Sequence, residues 1–374
     1  MQQLSLEEGR RLHTRLAGVF LFWPLLAQLR FDRIVDRADY PGSKMVPAVQ
    51  ALMSLLTLKL LDKERRSHID DFNCDEALGL FAGLNILPKK SFATDYSYRT
   101  QRRHQEKLLK HWIAGLRPLL FPEADSFSLD FHPIPYRGEE AVLEQHFQPR
   151  RGRAGPSVQT FFAQERTSQV LCYANANLTR DKQDDAVWEF ARFWRGLTGR
   201  YPQWLYFDSK LTSYKKLTQL TKKDIWFVTI RRRGSSVLRR LDSLPKGDWQ
   251  TAVIDIPRRR HQRIRYIDER VRLSGYEGEM RQVAVCDLGR KQPTLFLSNN
   301  FEVSPRELVM NYARRNGIED ALGTGVNFFH LDCLSSEVRL NVDLDTVLTV
   351  IANGCYRWLA TRLTGFEKTK PKQL

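Results

Sequence analysis

The feature that most restricts the fold is a change of hydrophobic period at residue 126. Upstream, apolar residues recur at helical spacing in 7–30, 45–61 and 104–120, with breaks at Pro41-Gly42 and Pro88. From 126 the stretch SFSLDFHPIPY alternates Phe127, Leu129 and Phe131 with Ser126, Ser128 and Asp130, as a half-buried strand does. A chain that changes period in this way has to join a helical region to a sheet.

Beyond the switch, strands are expected at 158–165 and 169–178. An amphipathic helix follows at 184–199, with Val187, Phe190, Ala191, Trp194 and Leu197 on one face. A short apolar strand from 203 stops at Asp208, and a Ser/Thr-rich turn leads into the basic helix YKKLTQLTKK. Residues 224–303 then read as nearly all strand, with short β-type runs between Gly and polar turns. Arginine is dense in this block, with Arg231, Arg232 and Arg233 followed by Arg239, Arg240, Arg258, Arg259, Arg260, Arg263 and Arg265. It reads as a β-rich insertion with a basic face. Helical pattern returns after Pro305, where Ser304, Pro305 and Glu307 approximate a capping box at N-cap, N1 and N3. One helix is expected through Tyr312, Arg315 and Glu319, another over 342–363, and then a basic tail.

Charge narrows the partner. Lys and Arg number 59 against 43 Asp and Glu, a formal net charge of +16 over 374 residues. Such an excess suits a polyanion, because phosphate neutralisation releases counterions, and it also suits a plain basic surface. The segment 91–112 sets Tyr96 and Tyr98 among Arg99, Arg102, Arg103, Lys107 and Lys110, which fits a DNA backbone or a solvated helix face equally well. The loop arginines Arg137, Arg150, Arg151 and Arg153 carry the same two readings. The five cysteines form no CxxC pair, so neither a zinc site nor a disulfide framework is expected. The N-terminal residues lack a signal-peptide pattern, and the apolar stretch 16–29 is too short for a span, so a cytoplasmic protein without a membrane partner is expected.

Three acids sit where a shared site is feasible. Asp130 lies within the first strand, Asp208 ends a later one, and Glu319 lies on a late helix that would pack on the sheet. Carboxylates on rigid elements suit two Mg²⁺ or Mn²⁺ ions engaged in phosphoryl transfer. Pattern alone does not single these acids out from others. His132, two residues from Asp130, reads as a water-positioning group or as a structural histidine, and His146 likewise has a structural reading.

The chain resembles the DDE transposases of bacterial insertion sequences, in the group with a Tyr-Arg-Glu-Lys signature. YARRNGIE (312–319) fits Y-x2-R-x3-E, while the signature's Lys position falls on Val326. SLDFHPIPYRG resembles the family's first-acid strand, and LYFDSKLTSY resembles its second-acid motif. The resemblance spans about residues 30–360. It implies an RNase H-like core, a mixed sheet flanked by helices, laid out as a helical N-terminal DNA-binding region (1–120), a first core part (121–223), a β-rich basic insertion (224–303) and a last core part with the C-terminal helix (304–374). It implies that Asp130, Asp208 and Glu319 hold two Mg²⁺ or Mn²⁺ ions and that Tyr312 and Arg315 contact DNA phosphates. It further implies 3′-end cleavage and strand transfer on double-stranded DNA, by a homodimer on paired ends, in the bacterial cytoplasm with the nucleoid as the working location. Arg231, Arg232 and Arg233, with the loop arginines, are the remaining expected DNA contacts.

Overall fold

A computed structural model describes residues 12–136, 143–148, 152–256, 262–333 and 339–374. Among the described residues the chain is α/β: a ten-stranded mixed sheet flanked by helices, preceded by a helical region.

The helical region contains α1 (Trp23–Gln28), α2 (Phe31–Arg37), α3 (Ala48–Leu60), α4 (Glu76–Ala82), α5 (Lys90–Tyr96) and α6 (Arg102–Leu120). The apolar stretch at 16–29 is a buried turn and helix, with Val19, Phe22, Leu25 and Leu26 in the core. Among the described residues no helix is long and apolar enough to cross a membrane. The basic segment 91–112 is not one helix. Thr100, half-way along, is extended and separates a short helical turn from α6. Tyr96 turns inward and donates its hydroxyl to the Pro41 carbonyl at 2.8 Å.

The sheet begins with β1 (Ser126–Pro135), β2 (Gln145–Gln148), β3 (Arg153–Glu165) and β4 (Leu171–Asn175). After α7 (Ala186–Thr198) comes β5 (Trp204–Tyr206), then α8 (Tyr214–Thr221) and β6 (Trp226–Ile230). β3 runs antiparallel to β1, and β4 antiparallel to β3. On its other side β1 pairs parallel with β5, which pairs parallel with β6. Phe127, Phe190 and Trp194 pack ring against ring where α7 covers the sheet, the face expected from its apolar stripe. Leu197 on that stripe is only half-buried.

The arginine-rich block differs from the expectation in two ways. Its strands, β6 and then β7 (Gln250–Val253), β8 (Arg263–Val271), β9 (Met280–Cys286) and β10 (Thr294–Ser298), fall where the pattern puts them. However, they extend the same sheet in the order β6-β10-β9-β8-β7, and β6 itself lies beside β5 at the sheet's centre. The block also contains the helix α9 (Ser235–Asp242), whose strand-like neighbours in sequence hide its short apolar face of Val237, Leu238 and Leu241.

The last third holds α10 (Pro305–Ala313), α11 (Asn316–Asn327) and α12 (Arg339–Arg362). The capping box forms: Ser304 Oγ accepts from the Glu307 amide at 3.2 Å, and the Glu307 carboxylate accepts from the Ser304 amide at 3.3 Å. The expected single helix breaks between α10 and α11. Arg315 N bonds Tyr312 O at 2.9 Å and Gly317 N bonds Arg314 O at 3.1 Å, a tightened turn at the poor helix formers Asn316 and Gly317. α12 packs against α3, α6 and β4 and ties the helical region to the sheet.

Candidate active site

β-sheet register brings the first two acids together. Ser128 on β1 faces Tyr206 on β5 in a parallel pair. Continued two residues along each chain, that register sets Asp130 beside Asp208, just past the carboxyl end of β5, where parallel strands offer ligand sites. Asp208 is locked in a turn: its Oδ1 accepts from the Ser209 amide at 2.7 Å, and its carbonyl accepts from the Leu211 amide at 3.2 Å. The third acid arrives on α11, which buries Ile318 and Leu322 and packs against β1.

All three acids line one cleft of about 610 Å³, together with His132, His146, Lys210, Arg315 and Asp332. Arg315 stands at the α10–α11 break, and the break aims it at the acids. Its Nη1 donates to Asp130 Oδ2 at 3.1 Å and its Nη2 to Glu319 Oε1 at 2.5 Å. Its side chain is 11% exposed, against 54% for Glu319. Its Nε is buried without a hydrogen-bond partner.

The electrostatics are unbalanced. Burial raises the Asp130 carboxyl above the ordinary aspartate value and the Glu319 charge raises it further, while Arg315 pulls it down without cancelling the rise. For Arg315, burial opposes the charge, but Tyr312, Asp130 and Glu319 together hold it more firmly protonated than usual. Tyr312 lies with its ring edge-on to Phe296 at 5.3 Å and under the Arg315 guanidinium at 5.7 Å. Burial raises its phenol well above the ordinary value.

The expected DNA contacts fall in different places. Arg315 is buried among carboxylates and Tyr312 is half-buried against the sheet. Arg153, at the start of β3, is exposed, as is Arg232 after β6. Arg231 donates to Gln282 Oε1 at 2.6 Å, and Arg233 to Gln292 Oε1 at 3.4 Å. Arg137, Arg150 and Arg151 lie outside the described residues, as do Arg258, Arg259 and Arg260. Val326, at the signature's Lys position, lines the acid cleft with an apolar side chain, while Arg290 lines an adjoining cleft with Asp208, Tyr312 and Glu319.

One contact in the cleft joins residues far apart in the chain. His132 Nε2 meets Asp332 Oδ1 at 2.7 Å, across 200 residues of chain. No spacing rule could have paired them. His146 Nε2 meets Glu144 Oε2 at 3.2 Å.

The donor set suits a hard divalent cation: three carboxylates from three elements, one of them part-buried and only partly neutralised by Arg315. Among the described residues, however, no three His, Cys, Asp or Glu side chains converge closely enough to hold one ion, and Arg315 occupies the place between two of the acids. No protein-family model matches the chain, and no curated protein matches it significantly.

Proposed function

We propose that the chain is a metal-dependent DNA phosphoryl-transfer enzyme, a DDE transposase with an RNase H-like core. The observation that carries the reading is that Asp130, Asp208 and Glu319, from three separate elements, line one cleft. Two further features support it. The unit β4-β3-β1-β5-β6 is antiparallel on one side of β1 and parallel on the other, as an RNase H-like sheet requires. The net charge of +16 suits a polyanionic substrate.

Asp130, Asp208 and Glu319 are the residues that would hold Mg²⁺ or Mn²⁺, and the chemistry supplied there is charge stabilisation at the attacking and leaving oxygens of an in-line displacement. The protein's own groups prepare that site. β1 carries one carboxylate, the hydrogen-bonded turn after β5 fixes the second, and α11 brings the third. Arg315 holds Asp130 and Glu319 toward one point and limits their repulsion. Asp332 occupies one nitrogen of His132 and so orients the ring in the cleft. Action as a homodimer on paired ends and a nucleoid location belong to the same proposal.

The test uses labelled duplexes and supercoiled DNA with Mg²⁺ or Mn²⁺. The wild type should nick DNA and join the freed 3′ end to a target. Asp208→Asn should lower cleavage by more than about a hundredfold, since a metal-centred contribution is worth several kcal/mol. DNA binding should stay within about twofold, because a phosphate-contacting surface is left intact. Cleavage without joining would reduce the reading to a nuclease. Binding without any metal-dependent cleavage would sink it in favour of a non-catalytic DNA-binding protein.

A further inference from the structure

Beside the acid cleft lies a second, polar cleft of about 320 Å³, lined by Ser209, Lys210, Ser213, Tyr214, Thr229 and Arg232 among others. It opens where two parallel strands end: the turn after β5 forms one wall, and β6 runs out through Ile230 to Arg232 on the other. Carboxyl ends of adjacent parallel strands are where α/β sheets admit ligands. The amino end of α8 enters the same space. Ser213 caps that helix by position without a side-chain hydrogen bond, and its carbonyl takes the Lys216 and Leu217 amides at 3.0 and 3.1 Å, which leaves the first two amides of the helix, of Tyr214 and Lys215, without a side-chain acceptor.

Charge and an orphaned hydroxyl give the cleft its chemistry. Lys210 and Arg232 are both exposed. Among the described residues Asp184 is the one acid lining it, and its carbonyl accepts from Thr212 Oγ1 at 3.1 Å. Thr229 lies in the lining at 3% exposure, and its Oγ1 is buried without a hydrogen-bond partner. A buried hydroxyl without an acceptor is costly, and a ligand oxygen would relieve it.

We propose that this cleft is a phosphate subsite: it binds one backbone phosphate of a DNA strand whose neighbouring phosphodiester reaches Asp208. The proposal rests on the DNA-processing reading, and it adds a strand-positioning contact outside the metal site. Lys210 and Arg232 supply the charge, the α8 amides and Thr229 supply donors, and Ser209 and Lys210 follow Asp208 directly in the chain. An anion held there would be fixed relative to the acids by the same turn.

The experiment is fluorescence anisotropy of the full chain with a labelled single-stranded oligonucleotide and with a duplex, in EDTA over a salt series. It reads binding without metal or cleavage, so failure of the catalytic reading would not disturb it. Arg232→Gln should weaken binding about three- to tenfold and reduce the dependence on log salt by about one phosphate contact. Thr229→Val, which keeps side-chain shape, should weaken binding roughly two- to fivefold, as expected for one hydrogen bond. The melting temperature of each variant separates a binding loss from unfolding, and Arg232→Gln alters only an exposed group. Unchanged binding and an unchanged salt slope in Arg232→Gln would overturn the proposal. So would competition by inorganic phosphate that depends on Arg232 while oligonucleotide binding does not, since the cleft would then take free phosphate and not a strand.

Discussion

Two arginine–carboxylate clusters in this molecule use the same chemistry to opposite ends. In the helical region, Arg102 Nη1 donates to both oxygens of Asp343 at 2.9 Å and to the Ala174 carbonyl at 3.1 Å, while Nη2 donates to Tyr173 Oη at 3.0 Å. Asp343 is fully buried and also accepts from the Ala176 amide at 2.8 Å. Every group has a match, and the cluster joins α6, α12 and the end of β4. In the acid cleft, Arg315 faces two carboxylates, one of them more than half exposed, and keeps a buried Nε without a partner. The first cluster is finished by folding. The second is left with unspent bonding capacity at a cleft wall, which is what a site for another molecule needs.

The largest expected effect breaks the first cluster. Asp343→Asn leaves the Arg102 charge with only the half-exposed Glu106 as counter-ion, and a cost of about 3 kcal/mol, the lower end for a broken buried pair, should appear in urea denaturation. A loss under about 1 kcal/mol would mean that the two clusters do not differ in this way. A smaller effect of the opposite sense is expected at Asp130. Its carboxyl is raised in the folded state, so its contribution is favourable at pH below the ordinary aspartate value of about 4 and is lost as pH rises through the folded value. Asp130→Asn without metal should therefore be at least as stable as wild type at neutral pH, with any advantage fading toward pH 4. Chemical denaturation across that range checks it, and a neutral-pH loss matching Asp343→Asn would equate the clusters. Smallest is Ser304→Ala, which removes the cap of α10 upstream of Arg315. It should cost about 1 kcal/mol by thermal melting and leave the pH profile unaltered.

Much of the architecture was legible because it depends on local periodicity. The strand after the switch at 126, the apolar stripe of α7 and the Ser304 capping box are written in neighbouring residues and form, although Ser128 is buried between Phe127 and Leu129, Phe131 is only partly buried and Leu197 stays half-buried. What escaped depends on partners far away in sequence. The arginine-rich block reads as an insertion because strand period says nothing about pairing; that β6 lies between β5 and β10 is decided by the sheet. The helix break at Arg315 has a local cause in Asn316 and Gly317, but the apolar period runs straight through it and hides it. The cleft acids were nameable as residue types, and Arg315 with Glu319 is an i,i+4 pair, but Asp332 beside His132 and Arg315 beside Asp130 had no local signature.

The ties made by α12 also impose an order of events during synthesis. Arg102 waits for Asp343, 241 residues downstream, and Lys59, whose Nζ bonds Asp345 Oδ2 at 2.7 Å, waits 286. At ribosomal speeds of about 5–20 residues per second, that delay is on the order of ten seconds to a minute. During that interval Lys59 lacks Asp345, and Arg102 has only Glu106, four residues on in α6, as a counter-charge. The helical region cannot reach its final state until nearly all of the chain has been translated, so a message cut short before α12 yields a product without its fastening.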